Sequence, residues 1–172
     1  MKIITGALHP RLRTPTMPIS TITIDHVAFG YKMLDTMWKA DGVGLAAPQV
    51  GSDLRVFVAT IWGKKSKKSS KEDIIDEEMF FNPEILSLSD EKTIEQEGCL
   101  SLPGLVGMVE RSTSVTIRFV DKMRQIRTQT FTGFTARIIQ HEFDHLEGIL
   151  YIDKLVAGTT IKTQGLSHDR LT

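Results

Sequence analysis

The sequence predicts an α+β domain, and three observations predict it. Segments with strand character crowd the middle of the chain, two helical patterns stand towards its ends, and no β-α-β alternation links them. The 172 residues are an ordinary length for one domain, so residues 1–172 are expected to fold as a single unit. Hydrophobic residues make up 41% of the chain and the mean hydropathy is −0.08, which suits a soluble protein with a buried core.

The elements follow in order. Pro10, Pro15 and Pro18 make the first segment extended or looped. Ile24, Val27, Ala28, Tyr31, Leu34 and Trp38 recur at helical spacing and predict an amphipathic helix that ends near Gly42. GVGLAAPQVG, residues 42–51, is rich in glycine and carries Pro48, so a loop with close backbone approaches is expected. LRVFVATIW, residues 54–62, is β-branched and apolar and reads as a buried strand. Residues 63–78, with a basic half and an acidic half, read as a solvated surface insertion, and a contact with ribosomal RNA is the sharper alternative. MFFNPEIL resumes strand character, with Pro83 marking an edge or an interruption. Val115, Ile117 and Phe119 alternate with Thr116 and Arg118, and together with residues 126–131 they predict a hairpin. A helix from about Phe134 to Glu147 follows, ended by Gly148, and residues 157–172 form a polar, frayed tail.

Charge and composition exclude several functions. Lys+Arg and Asp+Glu are both 21, so no basic excess points to nucleic acid, and DNA is not an expected partner. No apolar run is long enough to span a membrane, and MKIITGALHPRLRTP lacks the apolar stretch of a signal peptide. A cytoplasmic protein is expected, with a processed organellar one as the alternative. The one cysteine, Cys99, rules out an intramolecular disulfide.

The strongest chemical signal is QHEFDHLEG, residues 140–148. His141 and His145 stand four apart on the predicted helix, which puts both imidazoles on one face where they can reach one metal ion. Glu142 adjoins the first His, where its carboxylate can approach water activated by that metal without being a ligand. Catalytic sites of this type usually have three protein ligands and one open position. The longer pattern HExxHxxGxxH fails here, because Tyr151 stands where the third His is needed. Asp153 is too close in sequence to sit on a second helix, and Asp169 lies in the weak tail. Cys99 is the better third ligand, since a thiolate binds soft and borderline divalent metals. Its surroundings, EGCLSLPG, imply a shaped turn. A small buried hydrophobe or a nucleophilic thiol paired with a His remain alternatives for Cys99.

GVGLAAPQ at 42–49, EGCLS at 97–101 and QHEFDHLEG at 140–148 together resemble the motifs of the peptide deformylase family, in the same order and spacing, over roughly residues 5–155. The resemblance implies a fold in which mixed β-sheets surround a central helix carrying HExxH. It also implies a metal held by Cys99, His141 and His145. Fe(II) is the implied native ion, and Zn2+, Ni2+ or Co2+ can occupy the same ligands. The implied reaction is hydrolysis of the formyl group from the N-terminal formyl-methionine of new polypeptides. These N-formylmethionyl peptides, and transiently the ribosome, are the expected partners. Glu142 would take a proton from water and deliver it to the leaving amine, while the Gln49 side-chain amide and the Leu100 backbone N–H would face the developing oxyanion. Gly44 matches the position whose backbone pairs with an extended peptide. Val43, Leu100, Ile138 and His141 are the implied walls of a methionine pocket, with plain core as the alternative for Val43 and Ile138. Glu97 and Gly98 complete the substrate-side group, Glu97 as a hydrogen-bonding partner of nearby backbone, and Gln140 is the expected brace for a ligand. Two departures stand out. The arginine that many members carry a few residues after EGCLS is absent, since Leu105, Val106, Gly107 and Met108 stand there and the next arginine is Arg111. The C-terminus is short, whereas some bacterial members end in a long basic helix that docks on the ribosome.

Two rival readings of the site differ in class. A protease cutting internal peptide bonds is opposed by Tyr151 in the third-ligand position. A purely structural metal would need a fourth ligand from His9, His26 or His168 and would leave Glu142 without a purpose.

Overall fold

A computed structural model describes residues 1–63 and 73–163. Helix α1 (Ile24–Lys39) is followed by strands β1 (Gly44–Ala46), β2 (Val56–Trp62), β3 (Ile74–Leu88), β4 (Lys92–Cys99), β5 (Leu102–Ser112), β6 (Ser114–Val120) and β7 (Ile126–Thr132). Helix α2 (Gly133–Leu146) and the short strand β8 (Lys162–Thr163) complete the order. An antiparallel sheet runs β1-β2-β3-β6-β7, and a smaller antiparallel sheet runs β4-β5-β8. The α+β expectation holds, with the motif-bearing helix packed between sheets.

The larger sheet is buried on both faces where it matters, and its period of two decides which side chain goes where. Phe57, Ala59 and Phe80 point to one face and meet Ala136, Ile139 and Leu146 of α2. Val56, Val58, Met79 and Phe81 point to the other and meet Val27, Met33, Leu34 and Met37 of α1. An unbroken apolar run in β2 is therefore a strand covered on both sides. Each fully buried aliphatic or aromatic side chain contributes about 1.5–3 kcal/mol to holding α2 against the sheet. A third cluster, with Leu12, Leu102, Val109, Leu150 and Tyr151, fastens the N-terminal segment and β5 beneath the end of α2.

Helix α2 is stopped by geometry that only glycine tolerates. Gly148 has φ of 72°, and a Cβ there would lie 2.8 Å from the backbone carbonyl of Arg13. The chain therefore turns sharply after the second histidine.

Several expectations are corrected. Residues 42–51 are not a loop: they form β1 and then a 3-10 turn, Ala47–Val50. Residues 74–78 of the presumed insertion belong to β3, where their backbone pairs with residues 59–62 of β2, and residues 64–72 lie outside the described residues. Pro83 interrupts the pairing of β3 with β6 but not the strand itself. The strand passes through it on a bulge between Phe81 and Glu84, with Asn82 at φ 47° and its side-chain amide bonded to both backbone groups of Ile19. In the tail, Lys162 and Thr163 pair with Val106 and Leu105, while residues 164–172 lie outside the described residues. The hairpin of β6 and β7 and the helix α2 match expectation. No helix among the described residues is long and apolar enough to cross a membrane.

Candidate metal centre

Strand β4 ends at Cys99 and the chain turns through Leu100 and Ser101 into β5, so the thiol stands at the edge of the smaller sheet. Helix α2 crosses this edge and presents His141 and His145 one turn apart. One ligand atom from each of Cys99, His141 and His145 lies within 4.8 Å of the others, and Cys99 Sγ is 3.2 Å from His145 Nε2.

The two imidazoles differ in their second nitrogen. His141 Nδ1 is 2.9 Å from Glu97 Oε2, and because a carboxylate only accepts, Nδ1 donates and Nε2 is left to bind an ion. Glu97 is itself held from behind. Arg111 donates to both its oxygens at 2.9 Å, and Arg137 Nη1 donates to Oε1 at 2.7 Å. Arg111 also bonds Asp144, which accepts from Lys154 Nζ at 2.7 Å. Burial alone would raise the Glu97 carboxyl, but the bonds from His141 and Arg111 outweigh it and hold the group ionised far below the usual carboxylate range. Burial opposes charge on His141, yet Cys99 and Glu97 overcome it and push its pKa well above the ordinary value. At His145, burial and the neighbouring His141 act together to push the pKa well below.

Glu142 faces the same cleft from the next residue of α2. Burial raises its pKa to about 7, which suits a group that takes and gives a proton near neutrality. Its approach explains a glycine: a Cβ on Gly44 would lie 2.4 Å from Glu142 Oε1. Gln49 is fixed at its carbonyl end, where Oε1 accepts from the Ala46 N–H at 2.7 Å. Its Nε2 reaches Cys99 Sγ at 3.5 Å and Ser101 Oγ at 3.2 Å.

The cleft has a volume of about 450 Å³. Val43, Gly44, Gln49, Gly98, Leu100, Ile138 and Glu142 line it, together with Cys99 and His141. Val43 and Ile138 also pack on the core cluster between α2 and the larger sheet, so the core and pocket readings describe two sides of the same residues. Glu97 borders the cleft, but its carboxylate is fully engaged by Arg111, Arg137 and His141. It therefore braces a ligand rather than binding backbone or peptide. Gln140 does not brace a ligand: its amide bonds Ser112 N and O and Ala136 O. Asp153 bonds Arg13 and the Leu150 N–H, away from the ligand set.

Sequence reasoning passed over Arg137, Ser101 and Asp144 and noticed Arg111 only for its place after EGCLS. Arg137 had a signal: it stands four residues before His141, on the same face of α2. Arg111 had none within its own segment, because its partners come from β4 and α2.

A divalent ion fits these residues. One thiolate and two imidazoles form a soft-to-borderline donor set suited to Fe(II), Zn(II), Ni(II) or Co(II). His145 Nδ1, Glu142 Oε2 and the Tyr151 hydroxyl are buried without a hydrogen-bond partner among the described residues. Such atoms cluster where a site expects something more than its own side chains.

The comparisons agree with this fold. A sequence model described as polypeptide deformylase matches residues 1–160. A peptide deformylase of Pseudothermotoga lettingae is 38% identical over 144 residues, covering 84% of this chain and 77% of the relative. The crystal structure of the Thermotoga maritima peptide deformylase superposes with a TM-score of 0.79 at 34% identity, over 90% of this chain and 97% of that one. The class I type b peptide deformylase of Acinetobacter baumannii, solved with Met-Ala-Ser bound, gives a TM-score of 0.78 at 30% identity, over 90% of this chain and 98% of that one. With a family match spanning nearly the whole chain and the three motifs meeting in one cleft, this chain belongs to the polypeptide deformylase family.

Proposed function

We infer that this chain is a metal-dependent hydrolase that removes the formyl group from the N-terminal formyl-methionine of newly made polypeptides. The observation that carries the reading is the convergence of Cys99, His141 and His145 to within 4.8 Å, beside a buried Glu142 and against a cleft of about 450 Å³ that Cys99, His141 and Glu142 line. Held by those three side chains, a divalent ion would supply a Lewis acid for the formyl carbonyl and a lowered pKa for water. We assign Fe(II) as the native ion, with zinc, nickel and cobalt as substitutes that the donor set accepts.

The chain's own groups do the rest. Glu142 takes a proton from the attacking water and returns it to the leaving amine. The Gln49 amide and the Leu100 backbone N–H donate to the oxyanion as it forms, and each such donor is worth about 2.7–4 kcal/mol in the transition state. Glu97, fixed by Arg111 and Arg137, keeps His141 in the tautomer that offers Nε2. Substrate lies extended beside Gly44, at the open edge of the larger sheet, with methionine against Val43, Leu100 and Ile138. The Acinetobacter baumannii neighbour was solved with Met-Ala-Ser bound, which supports a methionyl peptide as the class of ligand. Nascent chains as substrate imply transient company with the ribosome in the cytoplasm.

The test is formate release from formyl-Met-Ala-Ser by protein purified without oxygen, with its metal measured, alongside a casein digest. We expect formate release and no casein cleavage. Full metal occupancy without formate release would refute the reading.

A further inference from the structure

Gln49 is the side chain on which the oxyanion assignment rests, and its amide is held by more than its own turn. Its carbonyl end is pinned to the Ala46 N–H. One contact of its Nε2 runs to Cys99 Sγ at 3.5 Å and the other to Ser101 Oγ at 3.2 Å. An amide nitrogen has two hydrogens, so these two contacts use both. The contact to sulfur is long and shares its acceptor with an ion, which makes it the one to yield. The contact to Ser101 is different in kind. Ser101 is fully buried, and the turn on which it sits is tied from outside.

That tie is the N-terminal segment. The Gly6 N–H donates to the Ser101 carbonyl at 3.0 Å, and the Ile4 N–H donates to the Gln49 carbonyl at 2.8 Å. Residues 4–6 therefore bridge the backbone of both partners and fix their separation, although Gln49 and Ser101 are 52 residues apart in sequence.

We propose that Ser101 is a positioning residue for deformylation: its buried hydroxyl, held by the Ile4–Gly6 strap, retains one hydrogen of the Gln49 amide and aims the other at the formyl oxygen in the transition state. This rests on the function inferred above. Ser101 is neither in the candidate ligand set nor among the residues lining the cleft, so its hydroxyl acts through Gln49. The proposal therefore predicts a loss that disappears when Gln49 is gone.

The experiment is a double-mutant cycle with Ser101→Ala and Gln49→Ala, measured on metal-loaded protein with formyl-Met-Ala-Ser. Ser101→Ala should lower kcat about tenfold, as expected for one buried hydrogen bond, with KM and metal content unchanged. In the Gln49→Ala background, the same substitution should change kcat by less than about twofold. Ser101→Thr, which keeps a hydroxyl, should recover most of the loss. Ile4→Pro removes the strap's N–H to Gln49 and should lower kcat in the same direction. A full tenfold loss on top of Gln49→Ala would overturn the proposal, as would a change confined to KM or loss of metal from Ser101→Ala. If wild type itself releases no formate while fully loaded, it is the inferred function that fails.

Discussion

The two imidazoles of α2 face the same point and are supported in opposite ways. Behind His141 stands a closed set of charges: Glu97 accepts from it, Arg111 and Arg137 hold Glu97, and Asp144 and Lys154 continue the chain to the surface. Beside His145, by contrast, Nδ1 and the neighbouring Glu142 Oε2 are buried without a partner among the described residues. A buried polar atom left unpaired costs about 1–3 kcal/mol, a cost borne at His145, Glu142 and the Tyr151 hydroxyl and not within the charge network behind His141. The braced half fixes where a ligand nitrogen points. The other half carries Glu142, the group inferred above to handle the proton.

Changes in the two halves should therefore fail differently. On the reactive side, Glu142→Gln should leave metal content intact and lower kcat by about 10²–10⁴-fold, measured by formate release against metal analysis. Loss of metal from that variant would break the distinction. On the braced side, Arg111→Met leaves Glu97 and Asp144 facing each other with one guanidinium fewer. Urea unfolding should show a loss of about 3–5 kcal/mol. Chelator competition should show metal affinity falling about 10–100-fold, with kcat of the loaded protein near wild type. A large fall in kcat at full loading would mean that the brace takes part in the chemistry.

The smallest expected effect lies outside both halves, where Asp153 meets Arg13. Burial would raise the Asp153 pKa, but the Arg13 guanidinium and the Leu150 N–H outweigh it and lower it. A folded value below the unfolded one means that the contact stabilises above about pH 4 and fades as pH falls through the folded value. The side chains are 30% and 39% exposed, so the contribution is under about 1 kcal/mol. Asp153→Asn should lower the Tm slightly near neutral pH, and the difference should shrink as pH falls below about 4. An effect that grew on acidification would reverse the sign of this account.

The reactive half was far more legible in the sequence than the brace. His141, Glu142 and His145 sit at helical spacing, and Cys99 is the one cysteine, so their chemistry follows from residue type and position. Arg111 and Arg137 belong to a residue type that is exposed by default, and partners distant in sequence, Glu97 for both and Asp144 for Arg111, make their burial tolerable. Local pattern carries no trace of that. The same holds for β1 and the turn after it. Glycines and Pro48 made residues 42–51 read as loop, whereas Gly44 is there because Glu142 lies against it. Strand β5 was missed for a related reason: Pro103, Gly104 and Gly107 hide a strand that is defined by its pairing with β4. The buried β2 and the β6–β7 hairpin were legible because their alternation is set by the faces they cover.

X-ray absorption at the metal edge of the zinc-loaded protein tests the central claim most directly. The account predicts one sulfur at about 2.3 Å, two imidazole nitrogens at about 2.0–2.1 Å and one exchangeable light atom from solvent. Cys99→Ala should abolish the sulfur signal and the binding with it. A spectrum without sulfur, or with four ligands all supplied by the protein, would contradict it.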